Sequence, residues 1–386
     1  VRRSEDRILT THAGSLPRPP DLREMLTARS NRQPYDEQAF AARVKDAVAE
    51  VVRLQVESGI DIVNDGELSK PNFTNYVRER ISGFELRQYK PGEGPPAWSI
   101  SARDKQEFAD YFAARSGRAQ IGTGQRGVIA VGPLQYVGQA AVQADIANFK
   151  AALQGVAVTE AFLPAVAPGS IEHWMANEYY PSDEAYLYAI ADAMHEEYQA
   201  IADAGFLLQI DNPDLPDAWG MYPGMELPEY RKYAQLRIEA LNHALRDVPI
   251  EQIRLHVCWG SYHGPHKYDI PLRDIVDLVL SVRAQAYSVE ASNPRHAHEW
   301  AVWRDVKLPE GKILIPGVVS HCSDFVEHPE LVAERLVRYA KLVGRENVIA
   351  GSDCGLGGRV GHPSLVWAKF QAMAEGARLA STELWG

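Results

Sequence analysis

The sequence predicts an α/β protein folded as a closed (β/α)8 TIM barrel, with an insertion after the second strand that covers the barrel mouth. Eight apolar runs of strand length recur along the chain, and segments with apolar residues at helical spacing lie between them. A chain of 386 residues is also long enough to bury one large core. Near-continuous apolar runs separated by helices mark parallel strands covered on both faces, and eight such units close into a barrel.

In order, strands are expected near 8–13, 60–65, 161–166, 207–211, 253–258, 286–290, 313–318 and 348–352. Helices are expected at 37–58, 183–205, 228–246, 272–285 and 329–343, where apolar residues return every three or four positions. Residues 66–136 fit no minimal barrel. They hold a proline-rich turn cluster at 91–96, a helix-like stretch at 104–115 and an apolar run at 127–136, read as a strand in a hairpin with 119–122. The chain is therefore read as one domain, 1–386, with 66–136 inserted in it.

A formal charge of −11 leaves no basic stripe for a phosphate backbone, which excludes nucleic acid as a partner. No run is long and apolar enough to span a bilayer, and the stretch from Val1 to Arg7 lacks a signal-peptide core, so no membrane is expected. Three cysteines form no disulfide framework, and a reducing cytoplasm is the expected compartment.

Active sites of such barrels lie at the C-terminal strand ends. The first strand runs into His12-Ala13-Gly14-Ser15, the second into Asp65-Gly66-Glu67, the third towards His173-Trp174, and the fourth ends in Asp211. The fifth carries His256 and Cys258, the sixth ends in Glu290, the seventh reaches His321 and the eighth reaches Asp353-Cys354. Strand side chains alternate faces, so His256 and Cys258 point the same way. An imidazole and a thiolate converging from one strand suit Zn²⁺, which takes N and S ligands tetrahedrally. The plainer reading of a lone buried cysteine is a small hydrophobe, and an aspartate at a strand end is commonly a turn residue. Cys322 is read as packing. The joint placement of one His, two Cys and one Glu favours a metal. His263, His266, His296 and His298 follow strands five and six; they either bind an anionic tail with Arg295 or bond within their loops.

The stretches Thr10-Thr11-His12-Ala13-Gly14-Ser15-Leu16-Pro17, Asp65-Gly66-Glu67, Gln209-Ile210-Asp211-Asn212-Pro213, His256-Val257-Cys258 and Asp353-Cys354-Gly355-Leu356 resemble the catalytic half of cobalamin-independent methionine synthase, in the same order. The resemblance implies Zn²⁺ held by His256, Cys258, Glu290 and Cys354, with His321 assisting proton movement. It implies substrate contacts at Ser15, Glu67 and Asp211, and a pterin ring stacked on Trp174. One family carboxylate falls at Ser69 here, and the duplicated amino-terminal half is absent. Short relatives that join epoxides to coenzyme M are similar too, on Cys258 to His266, Pro294 to Trp300 and Gly317 to His321.

The function this implies is zinc-dependent methyl transfer between methyltetrahydrofolate and a thiol such as homocysteine. Alternatives are coenzyme M alkylation by an epoxide and a catabolic demethylase with tetrahydrofolate as acceptor. A non-catalytic metal protein and a metal-free decarboxylase on a related barrel are the readings of other classes. The expected partners are a small thiol and a folate-like donor; self-association into a homo-oligomer is left open.

Overall fold

The computed structural model describes residues 1–88, 100–119 and 126–386. Eight parallel strands make the barrel: β1 (Leu9–Thr10), β2 (Ile62–Asn64), β5 (Glu160–Val166), β7 (Leu207–Asp211), β8 (Ile253–Val257), β9 (Ala286–Val289), β10 (Ile313–Val319) and β11 (Ile349–Ser352). The intervening numbers belong to a second sheet of β3 (Ile81–Gln88), β4 (Arg126–Tyr136) and β6 (Ala176–Asn177). The barrel sheet runs β1-β11-β10-β9-β8-β7-β5-β2. Its ends meet where the Asp61 amide donates to the Thr10 carbonyl at 3.2 Å and the Thr11 hydroxyl to the Ile62 carbonyl at 3.1 Å.

The helices are α1 (Pro20–Ser30), α2 (Glu37–Glu57), α3 (Ala102–Glu107), α4 (Ala109–Ala119), α5 (Gln139–Ala152), α6 (Pro168–Trp174), α7 (Asp183–Asp203), α8 (Asp214–Met221), α9 (Leu227–Ala244), α10 (Val276–Ser281), α11 (Pro329–Val343) and α12 (Pro363–Trp385). Sequence chemistry sets several ends. The Asp36 carboxylate accepts the amides of Gln38 and Ala39 at the start of α2, and the Ser182 hydroxyl accepts that of Ala185 at the start of α7. None of the described helices is long and apolar enough to cross a membrane.

Two expectations need correction. The helix at 272–285 is a 3-10 turn (Leu272–Asp274) followed by the short α10. Tertiary partners interrupt it. The Glu299 carboxylate takes the Leu272 amide at 2.6 Å, Asn242 takes the Arg283 amide at 2.8 Å, and the Tyr287 hydroxyl bonds the Val282 and Ala284 carbonyls. The second correction concerns β4, which pairs antiparallel with β3, a strand the sequence reading had not marked. Ala119 closes α4, and the rest of the expected hairpin partner, like the 91–96 turn cluster, lies outside the described residues.

The barrel interior is layered. An apolar floor of Leu9, Ile62, Phe162, Leu207, Ala286, Ile313, Ile315 and Ile349 closes one end. Above it lies Arg254, fully buried, its guanidinium 4.1 Å from the Phe162 ring centroid. It donates to the Thr11 hydroxyl and the His12 carbonyl at 2.9 Å each, and burial pulls it down to about 9. Next along β8 come His256 and Cys258, so the period-two spacing carries one strand from floor to mouth. Residues near α3 lie across the loops beyond β7 and β8. Arg103 donates to the Tyr222 and Met225 carbonyls, Tyr262 donates to Asp104 at 2.5 Å, and Asp104 also accepts the Lys267 amide at 3.1 Å.

Candidate metal centre

His256 is the penultimate residue of β8, and its ring is buried. Nδ1 is 3.1 Å from the Ser288 hydroxyl, one strand over on β9, while Nε2 has no hydrogen-bond partner. Cys258, two residues on, places its Sγ 3.3 Å from Sγ of Cys354, which follows β11. One ligand atom from each of the three lies within 4.8 Å of the others.

The chemistry of this donor set fits a metal ion. Two sulfurs at 3.3 Å cannot both ionise without a cation, and here they share a proton. The Cys258 thiol donates to Cys354, so Cys258 is pushed up by that bond and by burial, while Cys354 is pushed well down by accepting it. Burial works against charge on His256, yet Cys354, Asp211 and Glu290 together outweigh it and raise the imidazole. A divalent cation held here would take the place of that proton and find a donor in the unpartnered Nε2, with Ser288 fixing the ring. His256, Cys258 and Cys354 would hold it.

Glu290, expected as a fourth ligand, lies in a neighbouring group with His321 and Asp353. Its Oε1 accepts the Trp259 amide at 2.8 Å, and Oε2 accepts Asn293 and Arg295 at 2.7 Å each. Asp353, set aside in the sequence as a turn residue, accepts five hydrogen bonds from Ala291, Ser292 and Asn293 at 2.7–2.9 Å. It thereby fixes the loop after β9 beside Cys354. Arg295 is braced in turn by His266 and Asp269, and His296 pairs with Glu299 and Asp269. Of the four loop histidines, His266 and His296 thus bond within the loops, whereas His263 and His298 are exposed. Burial works to lower His321, but Cys322, Cys354 and Glu290 raise it to about 10, so it carries a proton at neutral pH. Cys322 is not packing: it is exposed, 3.4 Å from the His321 ring, because the chain leaves strand geometry after β10 and alternation ends.

On the β1, β2 and β7 side, two carboxyls face the mouth. Gln209 donates to Asp211 at 2.7 Å and to the Ala13 carbonyl at 2.6 Å. Glu67 reaches the same place from a left-handed backbone (φ +58) over Gly14, where a Cβ would come within 2.8 Å of Glu67 Oε1. Burial raises Glu67 to about 8, with Asp211 adding to it, and burial raises Asp211 to about 6. Ser15 lies between this pair and the sulfurs; a Cβ on Gly355 would come 2.9 Å from its own Cβ, and its carbonyl accepts the amides of Leu356 and Gly357. Trp174 ends α6, 37% exposed, with its ring edge-on to His173. Ser69 is half-buried, with its hydroxyl oxygen buried and unpartnered.

The sequence reading missed Ser288 and Asn293, quoted Gln209 only as part of a motif, and named Arg295 only as a binder of an anionic tail. Ser288 was findable, because it sits two residues before Glu290 and so shares its face.

A parallel eight-stranded barrel with an N,S,S donor set at its C-terminal end defines the class, a metal-centred barrel enzyme. A family profile described as the catalytic domain of cobalamin-independent synthase matches residues 8–91 and 137–378, and the chain belongs to that family. The part it leaves unmatched between these segments, 92–136, falls inside the expected insertion. Methionine synthase of Thermococcus kodakarensis is 25% identical over 381 residues, covering 97% of this chain and 94% of that protein. A 5-methyltetrahydropteroyltriglutamate–homocysteine methyltransferase of Thermotoga petrophila is 24% identical over 90% of this chain, which spans 41% of that longer protein. Among solved structures, a B12-independent methionine synthase from Shewanella sp. W3-18-1 in complex with selenomethionine superposes with a TM-score of 0.72 at 20% identity, covering 98% of this chain and 99% of that one. That likeness speaks for the fold.

Proposed function

We propose that the protein is a zinc-dependent methyltransferase that carries a methyl group from methyltetrahydrofolate to the thiol of homocysteine. The observation that carries this reading is the unpartnered Nε2 of His256 beside two sulfurs 3.3 Å apart, in a chain of the cobalamin-independent synthase family. A free thiol has a pKa near 8.5, so only about 3% is thiolate at pH 7. Zinc bound to His256, Cys258 and Cys354 supplies a Lewis acid that keeps an acceptor sulfur ionised at neutral pH.

The chain's own residues do the rest. Ser288 fixes the His256 ring, and Asp353 fixes the loop that carries Glu290. Glu290 pairs with Arg295 next to the sulfurs, and it is the replaceable fourth ligand in this reading. A methyl on a tertiary amine leaves only if the nitrogen is protonated, so an acid must face the sulfur. Glu67, held protonated at pH 7 beside Asp211, fits that task, and protonated His321 is the second candidate. Asp211 then stands ready to hold a substrate ammonium. In this reading the described residues of the 66–136 insertion roof the mouth, supported by the Arg103 and Asp104 contacts. Two thiols this close stay reduced in a cytoplasm, which is the compartment proposed.

Cobalt-substituted protein tests the assignment. Homocysteine is expected to raise the sulfur-to-metal charge-transfer absorption, and spectra unchanged at saturating homocysteine would refute thiol activation.

A further inference from the structure

Glu290 has hydrogen-bond donors of its own, independent of any metal. The amide of Trp259, one residue past Cys258, bonds Oε1 at 2.8 Å, and Asn293 and Arg295 bond Oε2 at 2.7 Å each. A carboxylate offers about four lone-pair positions, so about one remains for a cation. Of the three donors, only Arg295 carries charge. A carboxylate that shares its charge with a guanidinium is a weaker metal ligand, and when displaced it is not left as an unpaired buried charge.

Arg295 is itself held in place. Its Nη1 lies 2.6 Å from His266 Nδ1 and 3.2 Å from Asp269, and its Nε bonds the side-chain oxygen of Asn293 at 3.2 Å. His266 sits on a left-handed backbone (φ +50), a conformation that costs a histidine free energy and persists only where the surroundings impose it. Here they do. Nε2 donates to the Tyr262 carbonyl at 2.9 Å, and the ring stacks on that of Tyr262 with centroids 3.9 Å apart.

Helix α3 closes this turn from outside. Its buried Asp104 accepts the Tyr262 hydroxyl at 2.5 Å and the Lys267 amide at 3.1 Å, one on each side of His266. Contacts therefore run unbroken from α3 across the mouth to the carboxylate beside Cys258: Asp104, Tyr262, His266, Arg295, Glu290.

We propose that Arg295 is a positioning residue for exchange at the metal: it competes with the ion for Glu290, so that a thiol can take that place, and α3 sets its grip through Tyr262 and His266. The exchange of a thiol rests on the function proposed above; the competition for Glu290 does not.

Under this arrangement metal affinity and thiol affinity move in opposite directions, which a merely structural role would not produce. Arg295→Gln leaves Glu290 no cationic partner but the metal. Zinc is then expected to bind about tenfold more tightly in chelator competition, and homocysteine, followed by sulfur-to-cobalt charge transfer, about tenfold more weakly. Arg295→Lys should recover part of both, since the charge returns without the fork. Tyr262→Phe keeps the ring stack and drops only the bond to Asp104, so both affinities should shift the same ways by about two- to threefold. This variant also serves if Arg295→Gln folds poorly. In Arg295→Gln/Glu290→Gln the gain in zinc affinity should vanish. Zinc affinity unchanged or lower in Arg295→Gln and Tyr262→Phe overturns the proposal, and a zinc gain with undiminished homocysteine affinity overturns the exchange role. If the wild-type cobalt spectrum ignores homocysteine while the zinc gain appears, the thiol assignment fails and the competition for Glu290 stands.

Discussion

Two polar clusters sit side by side at the barrel mouth, and they differ in how completely they are satisfied. Around Asp353, every carboxylate oxygen has a donor: five hydrogen bonds reach Asp353 itself, and three reach Glu290. Around Cys354, a buried ring nitrogen has no partner and two sulfurs share one proton. Burying a polar atom without a partner costs free energy, so it persists where a ligand supplies the missing bond. The first cluster is built as scaffold, and the second is the binding site in the function proposed above. By the same rule His266 and His296, which are bonded within their loops, belong with the satisfied cluster and support Arg295.

The largest expected effect tests the second cluster. Metal affinities of roughly 10–16 kcal/mol spread over four ligands give one ligand about 2.5–4 kcal/mol. Cys354→Ser is therefore expected to weaken zinc binding by several hundredfold in chelator competition, with little change in the stability of the metal-free protein. Wild-type zinc affinity in this variant would show Cys354 to be packing and collapse the distinction. Asp353→Ala tests the first cluster. Leaving a buried donor without its acceptor costs roughly 1–3 kcal/mol, so with five donors orphaned urea unfolding of the metal-free protein should reveal a loss of about 3 kcal/mol or more. A loss below about 1 kcal/mol would mean that the five hydrogen bonds do not hold the loop.

A smaller effect separates the carboxyls of the mouth from both clusters. Glu67 is raised in the folded protein from 4.5 to about 8. With the folded value above the unfolded one, wild-type stability is fully present below about 4.5 and is lost as pH rises through 8. Glu67→Gln is thus expected to gain stability over wild type as pH climbs from 5 to 8.5, by on the order of 2 kcal/mol. In turnover, the wild-type alkaline limb near pH 8 should disappear in this variant. A stability difference flat with pH would show that Glu67 is ionised at neutral pH and cannot serve as the acid. The smallest effect lies farthest from the metal. Trp174→Ala should weaken methyltetrahydrofolate binding about three- to tenfold at constant zinc content, since ring stacking contributes roughly 0.5–1.5 kcal/mol. Unchanged affinity would remove Trp174 from the donor site.

Local pattern determined a great deal of this protein. The eight barrel strands lie within a few residues of their expected places, and β7 and α11 match end for end, because apolar periodicity and helix-end chemistry act over neighbouring residues. Period-two facing aligned His256 with Cys258, and the motif order placed Cys354 beside them. Tertiary structure decided what depends on partners distant in the chain. Residues 272–285 broke into a 3-10 turn and a short helix because Glu299, Asn242 and Tyr287 claimed their backbone groups. The strand at 81–88 became visible only through its pairing with β4. Asp353 looked like a turn residue until the loop some sixty positions earlier in the chain folded around it. Donors and acceptors carry no address in the sequence, so which of them end up satisfied, and which wait for a metal, is settled only when the strands close into a barrel.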